Sequence, residues 1–191
     1  MKNGRPDLQV ITQMVPEGAR VLDLGCGDGV LLSQLVERRG IAGRGVEVAE
    51  AKVRACIARG LSVRHGNIEE GLADFPDGMF DVVILSQTLA YLNRPLAVLQ
   101  EMARVGRLAI VSLENAGHWR ARWRALSGKG AGTTLVSREP RVRSITLPQF
   151  QDSLQELKLT ADGHVFLRSD SRVRIWPSIR AETAVYVITK L

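Results

Sequence analysis

The chain has 191 residues, 45% of them hydrophobic, which fits one ordinary globular domain with a proper core. No run approaches the ~20 apolar residues of a membrane span, and the polar stretch from Met1 to Asp7 lacks the apolar segment of a signal peptide. Seven basic residues and one acid lie between Ala116 and Thr146, so the whole formal net charge of +6 is gathered there.

The elements alternate from the start. Pro6–Val15 has a helical pattern with Leu8, Ile11 and Met14 or Val15 inward, closed by Pro16-Glu17-Gly18. Arg20–Leu24 is predicted as the first strand and Val30–Arg39 as a helix with Leu31, Leu32, Leu35 and Val36 inward. Gly43–Val48 is the second strand, and Glu50–Arg59 a helix with Val53, Cys56 and Ile57 inward. Leu61–Arg64 is the third strand, followed by an acid-rich loop from Gly66 to Gly78. Phe80–Ser86 is a near-continuous apolar run, as a strand covered on both faces should be. A helix over Arg94–Val105 and a fifth strand over Arg107–Leu113 complete the alternation.

Beyond Leu113 the pattern changes. His118–Leu126 reads as a helix with Trp119, Trp123 and Leu126 on one face. Ser127–Arg141 contains three glycines and few apolar residues, and reads as a mobile loop. Pro148–Leu157 is a further helix, and Thr160–Arg168 and Thr183–Lys190 are two final strands joined as a long-looped antiparallel hairpin. The expectation is an α/β fold: a Rossmann-like, seven-stranded, mostly parallel sheet with helices on both faces and a C-terminal antiparallel hairpin. It forms a single domain over residues 1–191, with a nucleotide-binding core at 16–114, a basic helix and loop at 115–146, and a closing helix and hairpin at 147–191.

In such sheets ligands bind beyond the strand C-termini. The first of those tips is Asp23-Leu24-Gly25-Cys26-Gly27-Asp28-Gly29. Its glycines follow G-x-G-x-G, and Val30 stands where a dinucleotide fingerprint would put its third glycine. Asp23 would repel a pyrophosphate but suits a cation, such as an α-ammonium beside a sulfonium. Glu47, 18 residues beyond Gly29 at the tip of the second strand, suits a ribose diol. Together these residues resemble the S-adenosylmethionine site of class I methyltransferases. That resemblance implies cofactor contacts at Asp23, Gly25, Cys26, Gly27, Gly29, Glu47 and Val48. It adds Asn67 for the adenine edge, Ile68 as an apolar neighbour of the ring, and Ser86 with Gln87 for the methionyl part or the acceptor. The bland alternatives are a turn-capping Asn67 and a helix-capping Ser86.

Methyl transfer from a sulfonium requires mainly positioning of the acceptor, and a base only when the acceptor loses its proton late. His118 and Tyr91, with Glu114, are the candidate bases; a lone His beside two Trp residues also fits a packing role. Cys26 and Cys56 form neither a disulfide framework nor a metal motif, which points to the cytoplasm with both thiols reduced. No metal-ligand spacing is present.

Seven segments resemble the MetW family of bacterial methionine-biosynthesis proteins: Arg20–Gly29, Gly45–Glu47, Ala55–Gly60, Glu70–Asp77, Phe80–Leu89, Glu101–Arg107 and Gly117–Arg120. Ser86-Gln87-Thr88-Leu89 and Gly117-His118-Trp119-Arg120 are the most specific. The resemblance implies a methyltransferase-like protein that binds S-adenosylmethionine or S-adenosylhomocysteine and accompanies or regulates a homoserine O-acyltransferase. The alternative is an independent methyltransferase of a small molecule. A compact basic loop without an RNA-binding module does not point to nucleic acid. After Leu126 the chain departs from the family: Leu135–Arg143 replaces the aromatic and polar segment usual there.

Overall fold

The computed structural model describes residues 5–126 and 143–190. Ser127–Arg141 and the divergent Leu135–Arg143 segment lie outside the described residues, apart from Arg143. The described elements are α1 (Pro6–Met14), β1 (Arg20–Leu24), α2 (Val30–Arg39), β2 (Ala42–Glu47), α3 (Glu50–Ala58), β3 (Val63–His65), β4 (Phe80–Ser86), α4 (Pro95–Val105) and β5 (Gly106–Glu114). Then come α5 (Trp119–Leu126), α6 (Leu147–Glu156), β6 (Leu159–Arg168), β7 (Ser171–Arg172), α7 (Pro177–Arg180) and β8 (Thr183–Lys190).

One sheet takes the order β3-β2-β1-β4-β5-β8-β6-β7. Strands β1 to β5 run parallel, with Asp23 beside Gly45 on one side and Ile84 on the other. β8 pairs antiparallel with β5 and with β6, so the expected hairpin is present, with its second strand inserted next to β5. The sheet has eight strands, not seven. The extra one is the two-residue β7, too short for any alternation to betray it.

Alternation along the strands separates two cores. Val21, Ile84, Ile110 and Val185 pack with α1 and α2, while Leu22, Leu85, Val111 and Tyr186 pack with α4 and α6. Local chemistry sets the helix ends. Val15 is extended before Pro16, as the residue preceding a proline prefers. Pro6 and Pro95 occupy first turns, where a missing N–H costs nothing. Thr146 and Gln149 form a reciprocal capping box, which starts α6 at Leu147, one residue before the expected start. Two expected inward residues face solvent, Val36 at 40% and Ile57 at 58% exposure. Each lies just outside a narrow stripe that Leu31, Leu32 and Leu35, or Val53 and Cys56, already complete. β3 begins at Val63 rather than Leu61, because Leu61 still bonds back to the end of α3.

Candidate functional site

The C-terminal ends of β1, β2, β4 and β5 open into a cleft of about 980 Å³. Its floor is the turn after β1. Gly25 has φ 69°, and a Cβ there would come within 2.8 Å of the Thr88 hydroxyl. Gly29 is the left-handed N-cap of α2, and its Cβ would meet Leu61 and Cys56. At Gly27, by contrast, a Cβ would meet no atom within 4 Å. The first and third glycines thus serve packing, while the middle one leaves bare backbone beside open space.

Asp23 is 2% exposed and lines the cleft. Among the described residues its Oδ1 has no hydrogen-bond partner. Burial pushes its pKa up to about 7; the Arg5 guanidinium opposes that rise and Glu47 adds to it. A buried acceptor with nothing to accept from is costly, and it suits a cationic donor entering from the cleft.

Glu47 is also buried. One oxygen accepts the Gly27 N–H at 2.9 Å and the other accepts the Ala49 N–H at 2.8 Å. It therefore ties the tip of β2 to the glycine turn, and each oxygen keeps a further lone pair for a hydroxyl. Val48, next along, is an apolar side chain 64% exposed at the cleft edge. Cys26 lies beneath the turn, with Sγ where a Gly45 side chain would otherwise go, and burial raises its thiol pKa. Cys56 donates its S–H to Gly27 O at 3.2 Å.

The remaining candidates divide. Asn67 and Ile68 line the cleft, but the Asn67 side chain is occupied locally. Its Oδ1 accepts the Glu69 N–H at 3.0 Å, capping a short 3-10 turn over Ile68–Glu70. Ser86 lines the cleft too, yet it belongs to a network beneath it. The Arg5 guanidinium donates to Asp7 through Nε and Nη2 and to Ser86 Oγ at 2.6 Å; Ser112 Oγ donates to Asp7 at 2.8 Å. Burial works to raise the Asp7 pKa, but the hydrogen bonds from Arg5, Ser112 and Ser86 outweigh it and hold it below the ordinary carboxylate value. Gln87 takes a left-handed φ of 54°, its N–H donating back to Ser112.

Tyr91 and Glu114 stand at the cleft mouth, Tyr91 54% exposed. His118 does not join them. It is buried at the start of α5, its Nε2 3.9 Å from Glu182, and is not among the cleft-lining residues. Sequence reasoning missed Arg5 and Asp7. The one available signal was Ser112, a hydroxyl within the apolar run of β5. Among the described residues no group of three His, Cys, Asp or Glu could hold a metal ion. No helix among them is long and apolar enough to cross a membrane.

Residues 5–188 match the profile of the family described as "Methionine biosynthesis protein MetW". A bifunctional methionine biosynthesis protein MetXA/MetW from Rhodopirellula baltica is 34% identical, over 94% of this chain and 32% of its own length. A ubiquinone biosynthesis O-methyltransferase from Hahella chejuensis is 36% identical over 47% of this chain and 40% of its own. The chain thus spans well under half the length of these relatives. An S-adenosylmethionine-dependent methyltransferase from Mesorhizobium loti has the same fold, with TM-score 0.73 at 13% identity, covering 98% of this chain and 99% of that one. The [4+2]-cyclase SpnF is also similar, with TM-score 0.69 at 17% identity, covering 97% of this chain and 80% of that one. The methyltransferase fold therefore hosts more than one chemistry.

Proposed function

The chain belongs to the MetW family, and on that premise we propose that its cleft holds S-adenosylmethionine or S-adenosylhomocysteine and that the protein works with a homoserine O-acyltransferase. The observation that carries the reading is the unsatisfied, buried Oδ1 of Asp23, in the cleft that the bare backbone of Gly27 also lines. The donor set fits the nucleoside. Asp23 would take the α-ammonium, the turn from Gly25 to Gly29 with Cys26 beneath it would let the ligand lie close, and Glu47 would take the ribose diol. Val48 and the Asn67–Ile68 backbone would border the adenine. Ser86 acts one step back, holding Arg5 at the rim. The ligand's sulfonium would supply an activated methyl group. Support for the partner comes from the Rhodopirellula relative, whose name joins MetXA to MetW. Since all eight strands form one sheet, the core and the closing hairpin are taken as parts of one binding unit. Both cysteines are free thiols, which suits the reducing cytoplasm.

Calorimetry with each nucleoside tests the cleft: wild type should bind and Asp23→Ala should not, and absence of heat with both ligands refutes the reading. Co-elution of the purified chain with the acyltransferase tests the partner. A second reading, independent methylation of a small molecule, is favoured by Tyr91 and Glu114 at the cleft mouth, where an acceptor would stand. It requires a labelled product from labelled S-adenosylmethionine that disappears with Asp23→Ala.

A further inference from the structure

All three tryptophans of the chain are exposed: Trp119 at 44%, Trp123 at 69% and Trp176 at 72%. Burying so large an apolar ring is normally worth more than leaving it in water, so three exposed together on connected elements mark an interaction surface. Two lie on α5 and the third at the head of α7, flanked by Ile175 at 64% and Ile179 at 40% exposure.

Backbone contacts join these elements. Asn115 donates its side-chain amide to Ser178 O at 3.1 Å and Ala181 O at 2.9 Å, so the segment entering α5 is clamped to α7. Glu182 accepts the Ser169 N–H at 3.1 Å and lies against His118, fixing the base of the 168–180 stretch to the first turn of α5. Trp176 is held at φ 51°, a left-handed conformation that a bulky residue adopts only when its surroundings impose it.

The charge is as one-sided as the exposure. Residues 168–180 hold four arginines and one aspartate. Arg168, Arg172, Arg174 and Arg180 are exposed around a groove of about 560 Å³, and among the described residues none of them is ion-paired. On α5, Arg120 lies over the Trp119 ring at 5.4 Å, and Arg122 donates Nε to Gly117 O at 2.8 Å.

From this arrangement we infer that the α5–α7 face is where a folded protein partner docks, through a patch with an apolar centre and an acidic rim. Aromatic anchors ringed by arginines are the composition of binding hot spots. Ile175 and Ile179 widen the apolar centre beyond the tryptophan rings, which favours an apolar protein surface over a nucleic-acid strand. The acidic rim follows from four uncompensated guanidiniums. The inference rests on the proposed function for its partner and adds the surface that meets it. The segments that lead into the face also reach the cleft: cleft-lining Glu114 pairs with Thr183, and Ala116 N–H donates to the O of cleft-lining Ile145.

The test measures association of the full chain with the purified homoserine O-acyltransferase by sedimentation, with nucleoside affinity as the fold control. The variants are Trp176→Ala with Ile179→Ala, and Arg172→Glu with Arg174→Glu. Each pair should weaken association by about 30-fold or more while leaving nucleoside affinity unchanged. Wild-type association that both pairs retain overturns the docking face and leaves the proposed function standing. No wild-type association overturns the proposed partner, and this inference with it. Self-association of the chain, or binding to an RNA oligomer, that the variants abolish would also overturn it.

Discussion

Glu47 of β2 accepts the N–H of Gly27, 20 residues earlier, at 2.9 Å. The acid proposed for the ribose is thus also the brace of the turn on which the ligand would lie. Its second oxygen accepts from Ala49, at the N-terminus of α3. For Glu47→Ala we expect two effects: a loss of stability of about 1–3 kcal/mol from two part-buried amides left without their acceptor, and loss of nucleoside binding. Glu47→Gln retains one acceptor oxygen and should sit between wild type and alanine in both. Thermal melts and calorimetry on the same samples separate the two effects.

Asp23 gives the clearest pH signature. Its folded pKa, about 7, lies above the unfolded value of 3.8. The folded protein therefore holds a proton that the unfolded chain releases, and stability falls as pH rises from about 4 through 7. Nucleoside affinity should move the other way, rising about tenfold between pH 6 and pH 8 as the carboxylate that takes the ammonium forms. Asp23→Asn should melt higher than wild type at pH 8 and bind no nucleoside. Calorimetric titrations across that range, with proton release measured in buffers of different ionisation enthalpy, check both.

Asp7 shows the opposite sign. Its pKa is held below 3.8 in the fold, so it stabilises the protein at neutral pH, and that contribution is lost as pH falls below the unfolded value. It is 1% exposed, with Arg5, Ser86 and Ser112 all directed at it. Asp7→Ala strands those donors and should cost about 3 kcal/mol, measured by urea unfolding at pH 7. Part of the loss should disappear when Ser112→Ala is combined with it.

Gly25 and Gly27 should respond differently to the same substitution. In Gly25→Ala the new methyl meets Thr88 Oγ1 at 2.8 Å and Cγ2 at 2.9 Å, and stability should drop by about 2–3 kcal/mol. Adding Thr88→Ala should recover the steric part and leave the conformational part. In Gly27→Ala the methyl enters free space, so stability should fall by only about 1 kcal/mol while nucleoside binding is lost. A Gly27→Ala protein that bound normally would place the ligand elsewhere.

The parallel half of the fold was readable because period and punctuation agree there. β4 is an apolar run broken only by Asp81 between Gly78 and the polar Ser86-Gln87, and α2 is bounded by Gly29 and Gly40. The inserted position of β8 was not readable, because the pattern of a strand says nothing about which neighbour it chooses. In the cleft, Asp23 and Glu47 were visible as acids at strand tips. Arg5 and Asp7 were not, because an ion pair made one turn into an N-terminal helix looks like ordinary helix-start chemistry until β4 and β5 bring Ser86 and Ser112 beneath it. His118 was misplaced for a related reason: following β5 in sequence, it turns inward at the start of α5 to Glu182 rather than forward to the cleft.

The place of β8 bears on how the sheet assembles. β6 precedes β8 in the chain, yet β8 is the strand that lies against β5. Until Thr183–Lys190 docks, β5 offers an open edge, and β6 is the nearest strand to occupy it. Correct assembly of this half of the sheet therefore requires the last strand of the chain to insert between two that precede it.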